Sequence, residues 1–357
     1  MMRRLGTMGI GHREEMKLAA LSAPATTTET RLEPRLQRAL VAGSDALDGL
    51  VDVHPVDGRD GALTLAVIHD LFVAPLDSVR DAVVYQHHPA VVTLKDRLES
   101  DLVDRVRALV DRGTRPRDEG AVEAIRSLAS RDMVPSVYRW VAASAAWSGL
   151  RSFLEMEGGP DGGFDDLVAI GQIGLLGEPK LELARNYWDE MGRGSAGNVH
   201  TQLQHRMAAA VGLGSTPRSL LPIEALDRAL LSTMLATNRR LQPELVGALG
   251  LIELQAGPRC RSVVRAMRRL DASEDALAFY QEHAVADPKH GKAWLNHVIR
   301  PLSTDPWWAS GMVRGALYRS AVNAAFFDMV TDRVNRGFAS VRPGSVGTLS
   351  LLPGQKP

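Results

Sequence analysis

From Pro89 to about residue 335 the chain repeats one physical signature: apolar side chains three and four positions apart, broken by glycine or proline. Leu94, Leu98, Leu102, Val106 and Leu109 form one such stripe, the mark of a helix with a single buried face. A shorter run covers 122–130. A longer one starts at Pro135 and points Tyr138, Trp140, Ala143, Trp147, Leu150 and Leu154 inward, until the glycine-rich segment 158–163 ends it. Further helical periods cover 164–173, 180–191, 196–213, 221–239, 243–256, 261–270, 274–283 and 306–334. Asp227 and Arg228 are expected on the polar side of 221–239, and Pro258 is expected to separate 243–256 from 261–270. Strand signals are few. The stretch 62–75 is a short helix or a strand, and 341–349 is a short strand or an extended arm. An all-α fold follows.

The composition fits that reading and narrows the function. With 357 residues, 45% hydrophobic and 24% charged, the chain can bury a large core. Lys plus Arg and Asp plus Glu both number 42, so no global positive field invites nucleic acid. The one cysteine, Cys260, allows no internal disulfide and no all-thiolate zinc site, which suits a reducing compartment. No apolar run reaches the roughly 18 residues of a membrane span, and the basic start lacks a signal-peptide core. A cytoplasmic enzyme is the expectation. The glycines of 158–163 are not followed by Lys-Ser or Lys-Thr, so they do not make a phosphate-cradling loop. The expected layout is an N-terminal extension or small subdomain over 1–85, one helical domain over 86–335 and a C-terminal arm over 336–357.

The sharpest chemical feature lies near the end of the helical series. On an ideal helix His283, Asp287 and His290 share one face. Burying all three without partners is costly, and a metal supplies partners; the competing reading is a solvated polar face. The two histidines stand about 10.5 Å apart along the axis, too far for one ion with bonds of about 2 Å. Two ions about 3.5–4 Å apart fit better. A second feature is Asn186-Tyr187-Trp188-Asp189-Glu190, followed by Gly192, Gly194 and His200. Glu190 and His200 meet at one site only if the glycines turn the chain. Asp189 is a ligand, a capping group or a surface residue. Glu253, in the apolar run 250–255, is either on an exposed edge or buried with a charged partner. Tyr187, Trp188 and Trp294 wall a cavity or pack the core. His87, His88 and His205 read as surface or packing residues, His297 as a supporting or surface residue, and Asp165 and Asp166 as helix caps.

On Asn186–Glu190 with His200, on Glu253, and on His283, Asp287 and His290, the sequence resembles the iron-containing redox enzymes of the haem-oxygenase-like fold, the non-haem diiron oxidases and oxygenases. The likeness is clear over 135–335. It implies a haem-oxygenase-like helical bundle with an N-terminal extension, the diiron domain occupying 86–335. The implied metal ligands, in chain order, are Glu190, His200, Glu253, His283, Asp287 and His290. Glu190, His200 and His283 are expected on one ion, Glu253, Asp287 and His290 on the other, with a carboxylate bridging. The implied cofactors are two Fe(II) ions, with dioxygen as co-substrate and Mn(II) or a mixed pair as the alternative metal content. The implied activity is oxidation of a small organic substrate: an amino acid, an amine or a carboxylic acid. The expected partners are that small molecule, an electron donor and a second copy of the chain, without nucleic acid or membrane. The alternative is a helical cofactor- or ligand-binding protein without diiron catalysis.

Overall fold

A computed structural model of the chain describes residues 30–112, 120–158, 163–214 and 216–336. The basic start and the arm expected at 341–349 fall outside these residues. Among the described residues every regular element is helical and none is a strand, as the all-α reading requires; the ambiguous stretch 62–75 lies mostly in a helix. The main helices are α1 (Leu32–Ala42), α2 (Gly58–Val73), α3 (Pro89–Arg112), α4 (Ala121–Arg131), α5 (Ser136–Ala143), α6 (Trp147–Glu157), α7 (Phe164–Gly171), α8 (Gly177–Glu190), α9 (His200–Val211), α10 (Ile223–Thr237), α11 (Gln242–Arg269), α12 (Glu274–Ala293) and α13 (Pro306–Asn335). A π-helical turn, Trp294–Ile299, continues α12. No helix among the described residues is long and apolar enough to cross a membrane.

Three local expectations are corrected. The pattern starting at Pro135 is two helices: the N–H groups of Ser144 and Ala145 both turn back to the Trp140 carbonyl, at 2.8 and 3.1 Å. The Trp140 ring then lies against Gly149, where a Cβ would come within 2.8 Å of it. Tyr138, Leu150 and Leu154 are buried as expected, but Ala143 is exposed. Pro258 does not divide its region; it lies inside α11. An internal proline costs a helix about 3 kcal/mol, which here is offset by packing, since α11 is enclosed by its neighbours. Asp227 and Arg228 are not on a polar face but buried and paired. Asp227 accepts from Arg105 Nη2 at 2.7 Å. Arg228 donates to Asn323 Oδ1 at 3.1 Å and covers the Phe326 ring at 4.4 Å.

α11 is the axis of the bundle, with α12 and α13 packed along it. Glycines allow both approaches. Gly247 and Gly315 meet the backbones of Met312 and Glu244, so a Cβ at either position would overlap the opposite chain. On the other side a Cβ at Gly291 would lie 2.9 Å from the Glu253 carbonyl oxygen and from Leu254 Cα, and one at Gly257 would lie 2.7 Å from the Pro288 ring. That second seam fixes α12 against α11 at the level of Glu253 and His290. At the N-terminal end the buried Asp60 accepts the N–H groups of Leu32, Glu33 and Val56 at 2.8, 3.1 and 3.0 Å. These bonds compensate the burial of its charge and anchor α1 on α2. One apolar cluster joins Leu32 and Leu65 to Leu249, Trp294 and Val322. A second surrounds Tyr138, Phe153, Met267 and Phe326.

Candidate metal centre

Four helices supply the site. α8 ends at Glu190, and Gly192, Arg193 and Gly194 all take left-handed backbone angles, with φ of +60, +53 and +84°. Gly192 is held to glycine twice over: besides its angle, a Cβ there would lie 2.5 Å from the carbonyl carbon of Asn198. The chain thus doubles back through two 3₁₀ turns and begins α9 at His200. The outcome is a distance of 2.6 Å between Glu190 Oε2 and His200 Nδ1, both residues being buried. α11 contributes Glu253, and one face of α12 contributes His283, Asp287 and His290.

Hydrogen bonds fix how these groups point. Asn186 Nδ2 donates to Glu253 Oε1 at 2.6 Å. His283 donates through Nδ1 to the Phe279 carbonyl at 2.7 Å, since a carbonyl can only accept, and Nε2 is left as the ring's ligating nitrogen. The His200 and His283 rings lie 4.5 Å apart. His290 donates through Nε2 to Asp189 Oδ2 at 2.9 Å. Its Nδ1 faces Glu253 Oε2 at 3.6 Å and Asp287 Oδ1 at 3.9 Å, both too long for a hydrogen bond.

The electrostatics are those of a cluster with too much negative charge for its burial. Burial, then the charges of Glu253 and Glu190, push the Asp287 carboxyl well above its ordinary range. Burial also raises Glu253 and lowers His283. His290 goes the other way. Burial alone would lower it, but the Glu253 and Asp189 carboxylates outweigh that and raise it to about 10.

The residues fit metal binding on two observations. First, His200 Nδ1, Glu253 Oε2, Asp287 Oδ2 and His290 Nδ1 are all buried without a hydrogen-bond partner, although such groups almost always have one. Second, the ligand atoms of Glu190, His200 and His283 lie within 4.8 Å of one another, and so do those of Glu190, Glu253 and His290. Glu190 is common to both trios. Asp287 joins neither within that limit. All six residues singled out in the sequence thus lie in one region, five of them in the two trios.

The other candidates separate. Asp189 bonds His290. Trp188 is exposed, whereas Trp294 is core and donates to the Val246 carbonyl at 3.1 Å. His297 pairs with Glu178 at the surface, His88 is within 2.7 Å of Ser44 Oγ, and His205 is exposed. Asp165 and Asp166 lie in the first turn of α7, and Asp165 also borders the cavity beside the site. That cavity, of about 170 Å³, is bounded by Glu190, His200, Glu253, His283 and Asp287, by the apolar side chains of Phe164, Ile252, Ala256, Cys260 and Phe279, and by polar groups including Glu157, Gln204 and Tyr280. These wall residues were not singled out in the sequence, although 252, 256 and 260 follow the helical period through Glu253, and 279 and 280 follow the one through His283. A second cavity, of about 330 Å³, reaches His200 from the other side and is bordered by Asp189, Arg193, Arg206 and Glu282.

Residues 151–323 match the family model described as iron-containing redox enzyme, a span that holds all six residues. Over that span, just under half of the chain, and in its helical architecture, the protein is similar to iron-containing redox enzymes of the haem-oxygenase-like superfamily. No curated protein matches the chain.

Proposed function

We propose that the protein is a non-haem diiron enzyme that activates dioxygen to oxidise a small organic substrate. The observation that carries this reading is the pair of buried ligand trios meeting at Glu190. Glu190 would bridge, His200 and His283 would hold one ion, and Glu253 and His290 the other, with Asp287 beside the second. Imidazole and carboxylate donors suit iron and leave open positions. Bound as a ferrous pair, iron supplies the electrons for dioxygen reduction.

The chain's own residues do the rest. Glu190, Glu253 and Asp287 bring negative charge that a cation pair would balance, which relieves the raised carboxyls of the metal-free centre. Asn186 orients Glu253, and the Phe279 carbonyl orients His283. Phe164, Ile252 and Phe279 exclude water from the cavity and offer apolar surface to the substrate. Among the described residues that wall it, none is an arginine or lysine. The part of the substrate that enters is therefore not anionic, and the carboxylate of an amino acid or carboxylic acid lies outside.

The test is aerobic incubation of Fe(II)-loaded protein with amines, amino acids and carboxylic acids, following oxygen uptake and product mass. Iron-dependent uptake with an oxidised product is expected. Protein that takes up no Fe(II), or takes it up and consumes no oxygen with any of these classes, counts against the reading.

A further inference from the structure

We propose that Asp189 is a positioning residue for the centre, holding His290 so that Nδ1 faces Glu253 and Asp287, with Arg193 fixing Asp189 in turn. The inference rests on the metal reading above and names a residue outside the ligand set.

An imidazole offers two nitrogens, and the one that binds a metal is decided by the hydrogen bond at the other. At His290 that bond is to Asp189 Oδ2 at 2.9 Å. The other oxygen of Asp189 accepts from Arg193 Nε, also at 2.9 Å. Arg193 Nη2 reaches on to Glu282. Both carboxylate oxygens of Asp189 are thus engaged, one by His290 Nε2 and one by Arg193 Nε, and Asp189 belongs to neither trio although it adjoins Glu190.

The relay Glu282–Arg193–Asp189–His290 also ties the site together. Arg193 is the middle residue of the turn that brings His200 to Glu190, with φ at +53°. A non-glycine residue is disfavoured there, and the contacts of Arg193 with Asp189 and Glu282 support the turn. Glu282 adjoins His283 on α12. One arginine therefore links the turn carrying His200, the helix carrying His283 and, through Asp189, the orientation of His290. The clamp borders the cavity of about 330 Å³, and the Asp189 side chain keeps 32% exposure. Its removal leaves no sealed void.

The experiment uses the full chain and its Asp189→Ala, Asp189→Asn and Arg193→Gln variants. Anaerobic Co(II) calorimetry gives affinity and stoichiometry, and the melting temperature of the metal-free protein reports folding. Wild type should bind two Co(II) ions. Asp189→Ala should weaken one of them about 10–100-fold, the usual effect of losing an outer carboxylate, with the metal-free melting temperature nearly unchanged. Asp189→Asn retains an acceptor and should fall between; Arg193→Gln should weaken binding less than Asp189→Ala. In Zn(II)-loaded wild type, histidine nitrogen NMR should show His290 protonated at Nε2.

Wild-type Co(II) affinity in Asp189→Ala, or a lowered melting temperature with affinity intact, overturns the inference and leaves the metal centre standing. A proton on Nδ1 of His290 in the Zn(II) form overturns it even if Asp189→Ala does not fold. Failure of wild type to bind Co(II) at all overturns the metal reading and this inference with it.

Discussion

Glu190 Oε2 lies 2.6 Å from His200 Nδ1 across a turn of three left-handed residues, and the same glutamate completes a trio with Glu253 and His290. A ligand shared by both trios would make both halves of the centre depend on it, whereas His283 and His290 each serve one. Glu190→Gln is expected to reduce binding at both sites, whereas His283→Ala and His290→Ala should each remove one ion and leave the other. Iron analysis after anaerobic loading checks this. Equal losses in all three variants would show that Glu190 is not shared.

The buried carboxylates set metal binding against metal-free stability. Asp287→Asn removes the charge of a group whose burial and acidic neighbours already disfavour ionisation. The metal-free variant is expected to be more stable than wild type near neutral pH, because the unfavourable ionisation of a buried carboxyl is removed, and to lose most of the stabilisation that Fe(II) or Co(II) gives wild type. Chemical denaturation with and without metal measures both effects. A variant that is less stable without metal and equally stabilised by it would contradict the expectation.

Packing at one glycine should reach the centre while packing at another does not. A Cβ at Gly291 would press on the backbone of Glu253 and Leu254. Gly291→Ala should cost about 1–3 kcal/mol and weaken metal binding by moving His290 from Glu253. Gly315→Ala presses on Glu244 at the α11–α13 seam; it should destabilise the fold while the surviving folded protein binds metal normally. Stability and Co(II) titration of the two variants separate these outcomes.

Filling the apolar cavity should separate substrate from metal. Ala256 borders the cavity next to Ile252 and Cys260 and ligates nothing. Ala256→Leu is expected to keep the Fe(II) stoichiometry of wild type and lower the turnover of bulky substrates by at least tenfold. Unchanged turnover would place the substrate elsewhere.

Acid sensitivity should arise partly far from the centre. His69 and Glu99 are buried, and His69 Nε2 donates to Glu99 Oε1 at 2.9 Å. Burial holds His69 below its ordinary 6.5, so below pH 6.5 the unfolded chain takes up a proton that the folded chain refuses, and stability falls. Glu99 responds at lower pH. Burial would raise it, but bonds from His69 and Lys95 hold it below 4.5, so its contribution is present above 4.5 and lost as pH falls through the folded value. Urea unfolding of metal-free protein at pH 6.5 and 5.5 should show a loss of up to about 1 kcal/mol that is absent in His69→Leu. The difference between the two proteins isolates this histidine from His290, whose raised value acts in the opposite direction between pH 6.5 and about 10.

The helical fold and the six candidate residues were legible because both are local. Stripes such as Leu94–Leu98–Leu102 repeat within one element, and His283, Asp287 and His290 share a helix face whatever surrounds them. The turn at Gly192–Gly194 was legible too, because glycine marks backbone that other residues avoid. Pro258 misled, since its local cost is real but is outweighed by neighbours distant in sequence. Asp227 and Arg228 misled for the same reason: charge predicts exposure until Arg105 and Asn323 supply partners.

What the sequence determined by itself was therefore the helices, the likeness to iron-containing redox enzymes and the six residues with metal-binding chemistry. Only the tertiary structure decided that Glu190 belongs to both trios, that Asp189 supports His290 from outside them, and that the cavity beside them is apolar. Those facts depend on the distances between α8, α9, α11 and α12. Such distances are set by close backbone approaches like that of Gly291 to Glu253, and no single segment encodes them.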